Sequence, residues 1–293
     1  LERLSGDAEP PLLIDAEVVE DATLRSRGVA GAPQPGFAAF LDGAQESRVL
    51  AWKNAVPIVY GVVSAGIRER IARRLVCWRN PIIERRIYAP LSLLPGDPLH
   101  AAFPPGELID TASPGSDGVC PPAHPLILLE RAKVAVSRDR EQAERRLIER
   151  WCQHEVRPVL VDGGIARSAT AAASEVVVGA VKSHRTLYAT GSALDVVVAL
   201  RAGERSSVLR LRSGSGTTVL AWYLRLREPA GHDALWGLVR LEMSDSAPIT
   251  ERADEVSRWM LAERAPLALP DARWDTMTYG VRSVEEMLRA VAK

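Results

Sequence analysis

The segment Gly36–Arg70, GFAAFLDGAQESRVLAWKNAVPIVYGVVSAGIRER, decides the fold. Phe37–Leu41 is an apolar run of strand length, and Asp42-Gly43 breaks it with a turn signal. Ser47–Lys53 reads as a second strand and Pro57–Ser64, rich in Val, Ile and Tyr, as a third. The short gaps favour antiparallel neighbours, a meander that begins at an acidic residue. The same signal returns in Arg157–Gly164, RPVLVDGG, where the strand Val156–Val161 runs into Asp162-Gly163. Two strands that each end in Asp-Gly point to one site built from distant parts of one sheet.

The chain has 293 residues, 47% hydrophobic and 25% charged, an ordinary balance for a globular protein with a sizeable core. Its formal net charge is zero, which argues against a strongly basic nucleic-acid binder but leaves room for a local basic groove. Cys77, Cys120 and Cys152 have no paired metal spacing and leave an odd count, so a reduced, cytoplasmic protein is expected. No apolar run approaches the roughly 18 residues of a membrane span, and no secretory signal is present.

Residues 1–35 are weakly patterned and read as an N-terminal extension or docking segment, with a helix over Leu12–Leu24. Leu12, Leu13, Ile14 and Val18 are its apolar anchors. Residues 36–293 read as the main domain, interrupted by a Pro- and Gly-rich loop or lid at 95–125. Ile67, Ile71, Leu75 and Trp78 fall at helical spacing, which predicts a helix with Arg68, Arg70, Arg73 and Arg74 on its other face. That face is either solvated or phosphate-contacting; Arg85 and Arg86, in the extended stretch Pro81–Leu94, add to the same positive potential. Leu126–Val136 predicts a helix, and Ser137 is positioned to cap another over 138–154. There Glu144 shares a face with Leu147, Ile148 and Trp151. A carboxylate facing a core needs an ion pair, for which Arg140 is available, or a metal. Glu149 and Glu130 are the reserves for the same role.

Glu175–Ser183 reads as a central strand delivering Lys182 and His184 at its end. A helix is predicted at Ser192–Leu200, strands at Val208–Leu211, Thr218–Leu226 and Leu235–Met243, and helices at Thr250–Arg264 and Ser283–Ala290. Ser283 with Glu286 reads as a capping box. Trp259 and Met260 read as core. No P-loop, GxGxxG, HExxH, cysteine zinc pattern or Gly-x-Ser-x-Gly elbow is present.

A meander, a helical middle and then a strand ending in Asp is the order of a ribonuclease H-like fold: an α/β mixed sheet with flanking helices, here with additional C-terminal strands. Clustered carboxylates repel when ionised, and a divalent ion relieves that repulsion. Oxygen ligands suit Mn²⁺ or Mg²⁺. The segments FLDG (40–43), VLVDG (159–163), VGAVKSH (178–184), WYLRL (222–226) and GLVRLE (237–242) follow one another as in the NurA family of DNA-end-processing nucleases, which the chain resembles over nearly its whole length. The resemblance implies Mn²⁺-dependent, 5′-to-3′ digestion of DNA ends, cleavage of single-stranded DNA, a homodimer, and docking onto a hexameric HerA-type translocase. It places Asp42 and Asp162 as strand carboxylates, Glu144 as the helical one and Tyr223 as a site-lining tyrosine. Lys182 joins the catalytic candidates as a group that would hold a phosphate or orient a carboxylate, an ordinary strand-end charge being the other reading. The family also places a metal-site His near its C-terminus. This chain has none after His232, leaving Asp275 or His184 as substitutes. A non-catalytic DNA-end or translocase-binding module with the same fold is the alternative, and a transposase-like metal nuclease a third reading.

Overall fold

The computed structural model describes residues 11–72, 74–112, 124–214, 216–246, 248–264 and 279–291. Short strands β1 (Leu12–Leu13), β2 (Glu17–Val18) and β3 (Ser26–Gly28) precede the long ribbon β4 (Ala39–Lys53) and β5 (Val56–Ile71). Next come β6 (Arg74–Cys77), β7 (Ile82–Ala89), α1 (Leu99–Ala102), β8 (Leu108–Asp110) and the long helix α2 (Pro125–His154). The second half holds β9 (Val159–Asp162), α3 (Ala169–Ala173), β10 (Val177–Val181), β11 (Thr186–Leu187) and α4 (Gly191–Ala199). The chain continues through β12 (Glu204–Ser206), β13 (Leu209–Arg212), β14 (Thr218–Arg225), β15 (Leu238–Ser244), α5 (Ile249–Ala262) and α6 (Tyr279–Val291). Among the described residues, no helix is long and apolar enough to cross a membrane.

A large mixed sheet runs β2-β13-β14-β15-β10-β9-β4-β5-β7-β8. At its centre β7, β5 and β4 are antiparallel neighbours, whereas β4 pairs parallel to β9 and β9 parallel to β10. A parallel return needs a crossover; α2 lies in the connection from β4–β8 to β9, and α3 in that from β9 to β10. The added strands β15 and β14 continue the sheet antiparallel from β10.

The strands facing helices on both sides lose the polar alternation of a half-exposed sheet and become nearly all apolar. On one face, Leu41, Val159 and Val161 pack with Ala143, Leu147, Ile148 and Trp151 of α2. On the other, Phe40 and Leu160 pack with Trp259 of α5 and Val284 and Leu288 of α6. The sheet therefore has two cores. Period-two alternation assigns each central residue to one of them.

The predicted strands at 57–64, 156–161, 175–183, 218–226 and 235–243 and the helices at 192–200 and 250–264 have counterparts at those places. Others differ. Asp42-Gly43 is no turn: β4 passes straight through it and reverses only at Asn54-Ala55, where φ is 48° and 68°. Two consecutive positive φ values are the mark of a tight hairpin turn matched to strand twist. Ile67–Trp78 is not a helix, because β5 continues to Ile71 and β6 folds back on it, with Arg68 opposite Cys77. Ile67 of β5 and Trp78, the residue after β6, share a core through strand pairing, not as successive helical turns. The predicted helices at 126–136 and 138–154 are one helix, begun at Pro125 with the His124 side chain accepting from the Leu126 N–H. Ser137 caps nothing, and β-branched Val136 is kept helical by burial against Val59, Val63 and Tyr88. Helix α6 begins at Tyr279, so Ser283 is an interior residue; its hydroxyl accepts from Arg68 Nη1 at 2.6 Å.

Leu12–Leu24 contains strands rather than a helix: β1 pairs with β11, β2 with β13, and the following β3 with β12. The region 95–125 contains α1 and β8, the latter parallel to β7; its residues 113–123 lie outside the described residues.

Ala55 holds φ 68°, a conformation that suits glycine far better than alanine. Ala55→Gly is expected to raise stability by about 0.5–1 kcal/mol, read as a higher urea midpoint at unchanged slope.

Candidate functional site

Parallel pairing of β4 with β9 matches Leu41 to Val161, so Asp42 and Asp162 stand on the next rung. Both follow Phe40 and Leu160 in face. Lys182 stands two positions beyond Ala180, which is paired with Asp162, and so projects from the same face at the end of β10. Its Nζ donates to Asp162 Oδ2 at 2.7 Å. Asp42 is buried, at 6% exposure, and accepts from the Gly43 N–H at 2.8 Å.

Glu144 reaches this point from α2, on the other face of the sheet. A Cβ on Gly43 would lie 2.1 Å from Glu144 Oε1. The missing side chain of Gly43 is thus the opening through which Glu144 comes beside Asp42. Arg140, one turn earlier on α2, forms an ion pair with Glu144 and donates to Gln45 Oε1 at 3.1 Å. The Asp-Gly signal was meaningful, then, but for side-chain clearance and not for chain reversal.

These residues open onto a cleft of about 880 Å³ lined by Asp42, Asp162, Lys182 and Arg140, with Glu285 and Arg289 of α6 at its edge. An adjoining cleft of about 770 Å³ shares Asp162 and Arg140 and includes Glu144 and Glu242. Glu242 of β15 was not singled out from the sequence. It is buried, accepts the Ile165 N–H at 2.9 Å and pairs with Arg240 at 2.9 Å. Its signals were an acidic residue inside the run LWGLVRLEM and its place at the end of the segment GLVRLE (237–242). Glu285 and Arg289 were likewise missed, because no local pattern brings α6 to β4.

Burial pushes the Asp42 carboxyl well above the usual range, and the nearby charge of Asp162 adds to this. Burial also raises Glu144, to about 7; Arg140 opposes the rise and Asp162 adds to it. The groups are close enough to feel one another and all their donors are oxygen, the kind a hard cation takes. Among the described residues, however, no three His, Cys, Asp or Glu side chains are gathered as a metal site. Asp162 and Glu144 are each engaged by a basic side chain instead.

The remaining candidates lie elsewhere. His184 Nε2 donates to the Leu238 carbonyl at 3.0 Å, and the ring lines a separate hollow of about 470 Å³ that Lys182 also borders. Tyr223 is fully buried and its hydroxyl accepts the Tyr188 N–H at 2.8 Å. Glu149 accepts from Ser168 Oγ, and Glu130 pairs with Lys133. The expected basic face is dispersed. Arg68 donates to Ser283 and to the Leu75 carbonyl, Arg70 pairs with Glu263 at 2.7 Å, and Arg86 pairs with Asp139 at 2.5 Å. Arg74 and Arg85 are exposed on β6 and β7, while Arg73 and Asp275 lie outside the described residues.

A carboxyl raised in the folded state favours folding where it is protonated, and that contribution is lost as pH climbs through its unfolded and then its folded value. Asp42→Asn removes the cost of ionising the buried group. Its Tm should exceed the wild type's at about pH 8 in chelator, and the gap should close as pH falls toward about 4, near the unfolded carboxyl value. Parallel melting scans of the two proteins across that range check the sign.

No protein-family model matches this chain, and no curated protein matches it.

Proposed function

We propose that this chain is a metal-dependent deoxyribonuclease of NurA type, built on a ribonuclease H-like sheet and acting on single-stranded DNA and DNA ends in the 5′-to-3′ direction. The single observation that carries the reading is the juxtaposition of Asp42 and Asp162 on adjacent parallel strands with Glu144 seated at Gly43. The strand order β7-β5-β4-β9-β10, antiparallel then parallel, supports the fold assignment. Asp42, Asp162 and Glu144 would hold Mn²⁺, with Mg²⁺ as the alternative. Such an ion supplies an activated water and neutralises charge on the leaving oxygen of a phosphodiester.

The chain's own residues have the complementary task. Lys182 and Arg140 bring positive charge to the cleft where a phosphate would lie. Gly43 keeps the space that Glu144 needs. The homodimer and the HerA-type translocase belong to the same proposal, since the dispersal of Arg68, Arg70 and Arg86 into internal contacts favours DNA delivered by a partner over a broad basic surface. A second reading, a binding module that keeps the fold without cleavage, is favoured by the ion pairs that engage Asp162 and Glu144.

The test is cleavage of end-labelled single-stranded DNA with titrated Mn²⁺. On the nuclease reading, Asp42→Asn and Asp162→Asn lower the rate by about 10³-fold or more, an estimate for loss of a group acting on transition-state charge, without unfolding. Equal cleavage by wild type and D42N rejects Asp42 as a ligand; DNA binding with no cleavage by wild type selects the binding module.

Gly43→Ala is a sharper probe. The added methyl displaces the flexible end of Glu144 rather than backbone. It should therefore reduce cleavage as Glu144→Gln does, with a stability change of only about 1 kcal/mol. Combining G43A with E144Q should add little further loss.

A further inference from the structure

Resting on the metal-site reading above, we propose that Lys182 and Arg140 are resident counter-ions of the carboxylate site, which a divalent cation displaces and which then pass to the phosphate of the bound strand. The carboxylates of Asp162 and Glu144 are each covered by one basic side chain, Lys182 at 2.7 Å and Arg140 in direct contact. All four side chains are largely buried, with exposures of 25% and 20% in the first pair and 24% and 13% in the second. Both basic residues also line the same cleft as Asp42. The pairs are therefore in the site itself, at the oxygen atoms that a metal would need.

Coulomb's law makes the two occupancies compete. A cation within about 4 Å of a dication is repelled strongly wherever water is scarce. A metal at Asp162 and Glu144 therefore favours withdrawal of Lys182 and Arg140 from the oxygens they now contact. Both side chains are long enough to swing while their stems stay in place. Arg140 already has a second acceptor in Gln45 Oε1 at 3.1 Å, on the cleft wall.

The charges of the ionised groups agree with this exchange. With all three carboxyls ionised, the state that a bound metal demands, they sum with Lys182 and Arg140 to one negative charge. A divalent cation converts this to one positive charge, the complement of a single phosphodiester. The substrate thus completes the neutrality that the metal disturbs, and metal and strand binding become coupled. The same exchange accounts for the lack of a gathered metal site among the described residues: two of the three carboxylates are turned to internal cations.

The experiment measures free Mn²⁺ by its electron paramagnetic resonance signal against wild type, Lys182→Gln, Arg140→Gln and the double variant. Single-stranded DNA binding is measured by fluorescence anisotropy in Mn²⁺ on uncleavable phosphorothioate strands. Each neutral variant is expected to bind Mn²⁺ roughly tenfold more tightly without DNA. It is also expected to bind the strand more weakly, with a salt slope shallower by about 0.7 for each phosphate left without its basic partner. Lys182→Arg, which keeps the charge, is the folding control and should stay near wild type in both measurements. Unchanged or weaker Mn²⁺ affinity in the neutral variants overturns the counter-ion role while leaving the nuclease reading intact, provided wild type binds Mn²⁺ and cleaves. Absence of Mn²⁺ binding in wild type and all variants overturns both.

Discussion

Parallel pairing between β4 and β9 covers Ala39–Leu41 against Val159–Val161, and it stops one rung short of two carboxylates. Everything at the site depends on that register. A slip of one residue would send one of the two to the opposite face of the sheet. The pairing is held from both sides, by Phe40 and Leu160 in one core and Leu41 and Val161 in the other. Burying such a side chain is worth about 1.5–3 kcal/mol. These four together outweigh a carboxylate–carboxylate repulsion, which is about 4 kcal/mol for unit charges about 4 Å apart in a semi-polar environment. The sheet can therefore hold the two carboxyl groups together without a metal, at the expense of a raised pKa at the buried Asp42.

The same balance governs the arginines. The chain carries as many basic as acidic residues, 37 of each, and a few of its arginines are buried, among them Arg205 and Arg225. Arg205 lies fully buried between Glu20 and Asp254, and Arg225 donates to the carbonyls of Val198, Leu200, Ala234 and Trp236. The planar guanidinium suits such multiple contacts, and removing one partner would leave a charge stranded. Arg70 adds a cation–π contact over Phe40 to its pair with Glu263. A neutral total thus reflects internal pairing rather than a uniform surface.

The central strands were legible because burial on both faces leaves continuous apolar runs, as in Val156–Val161 and Glu175–Ser183. Asp42, Asp162 and Glu144 were legible as carboxylates attached to such elements, and Arg140 as a partner one turn away. The use made of Gly43 was not, because a turn glycine and a clearance glycine look alike until α2 is in place. Nor was the strand nature of Ile67–Ile71: its helical spacing of apolar residues competes with pairing to β4 and β6, and pairing wins. Ser137 and Ser283 have the chemistry of caps, but helices already running from Pro125 and Tyr279 pass over them. Tyr223 and His184 show what a strand position leaves open. Their sequence surroundings suggested site residues, while packing takes one into the core and the other toward Leu238.

The wide sequence separation of the central strands has a consequence for how the protein is made. The β4–β5 ribbon joins through a two-residue turn and needs only local contacts to form. Its partner β9 comes only after β6, β7, β8 and the whole of α2, so closing that pair carries the entropy of a long loop. The ribbon that carries Asp42 can therefore begin to pair before Asp162 has been added to the chain, though a lone hairpin is only marginally stable. A chain that ends before Asp162 holds one carboxylate of the pair and lacks Lys182. Assembly of the carboxylate cluster is consequently a late event, tied to closure of the whole sheet.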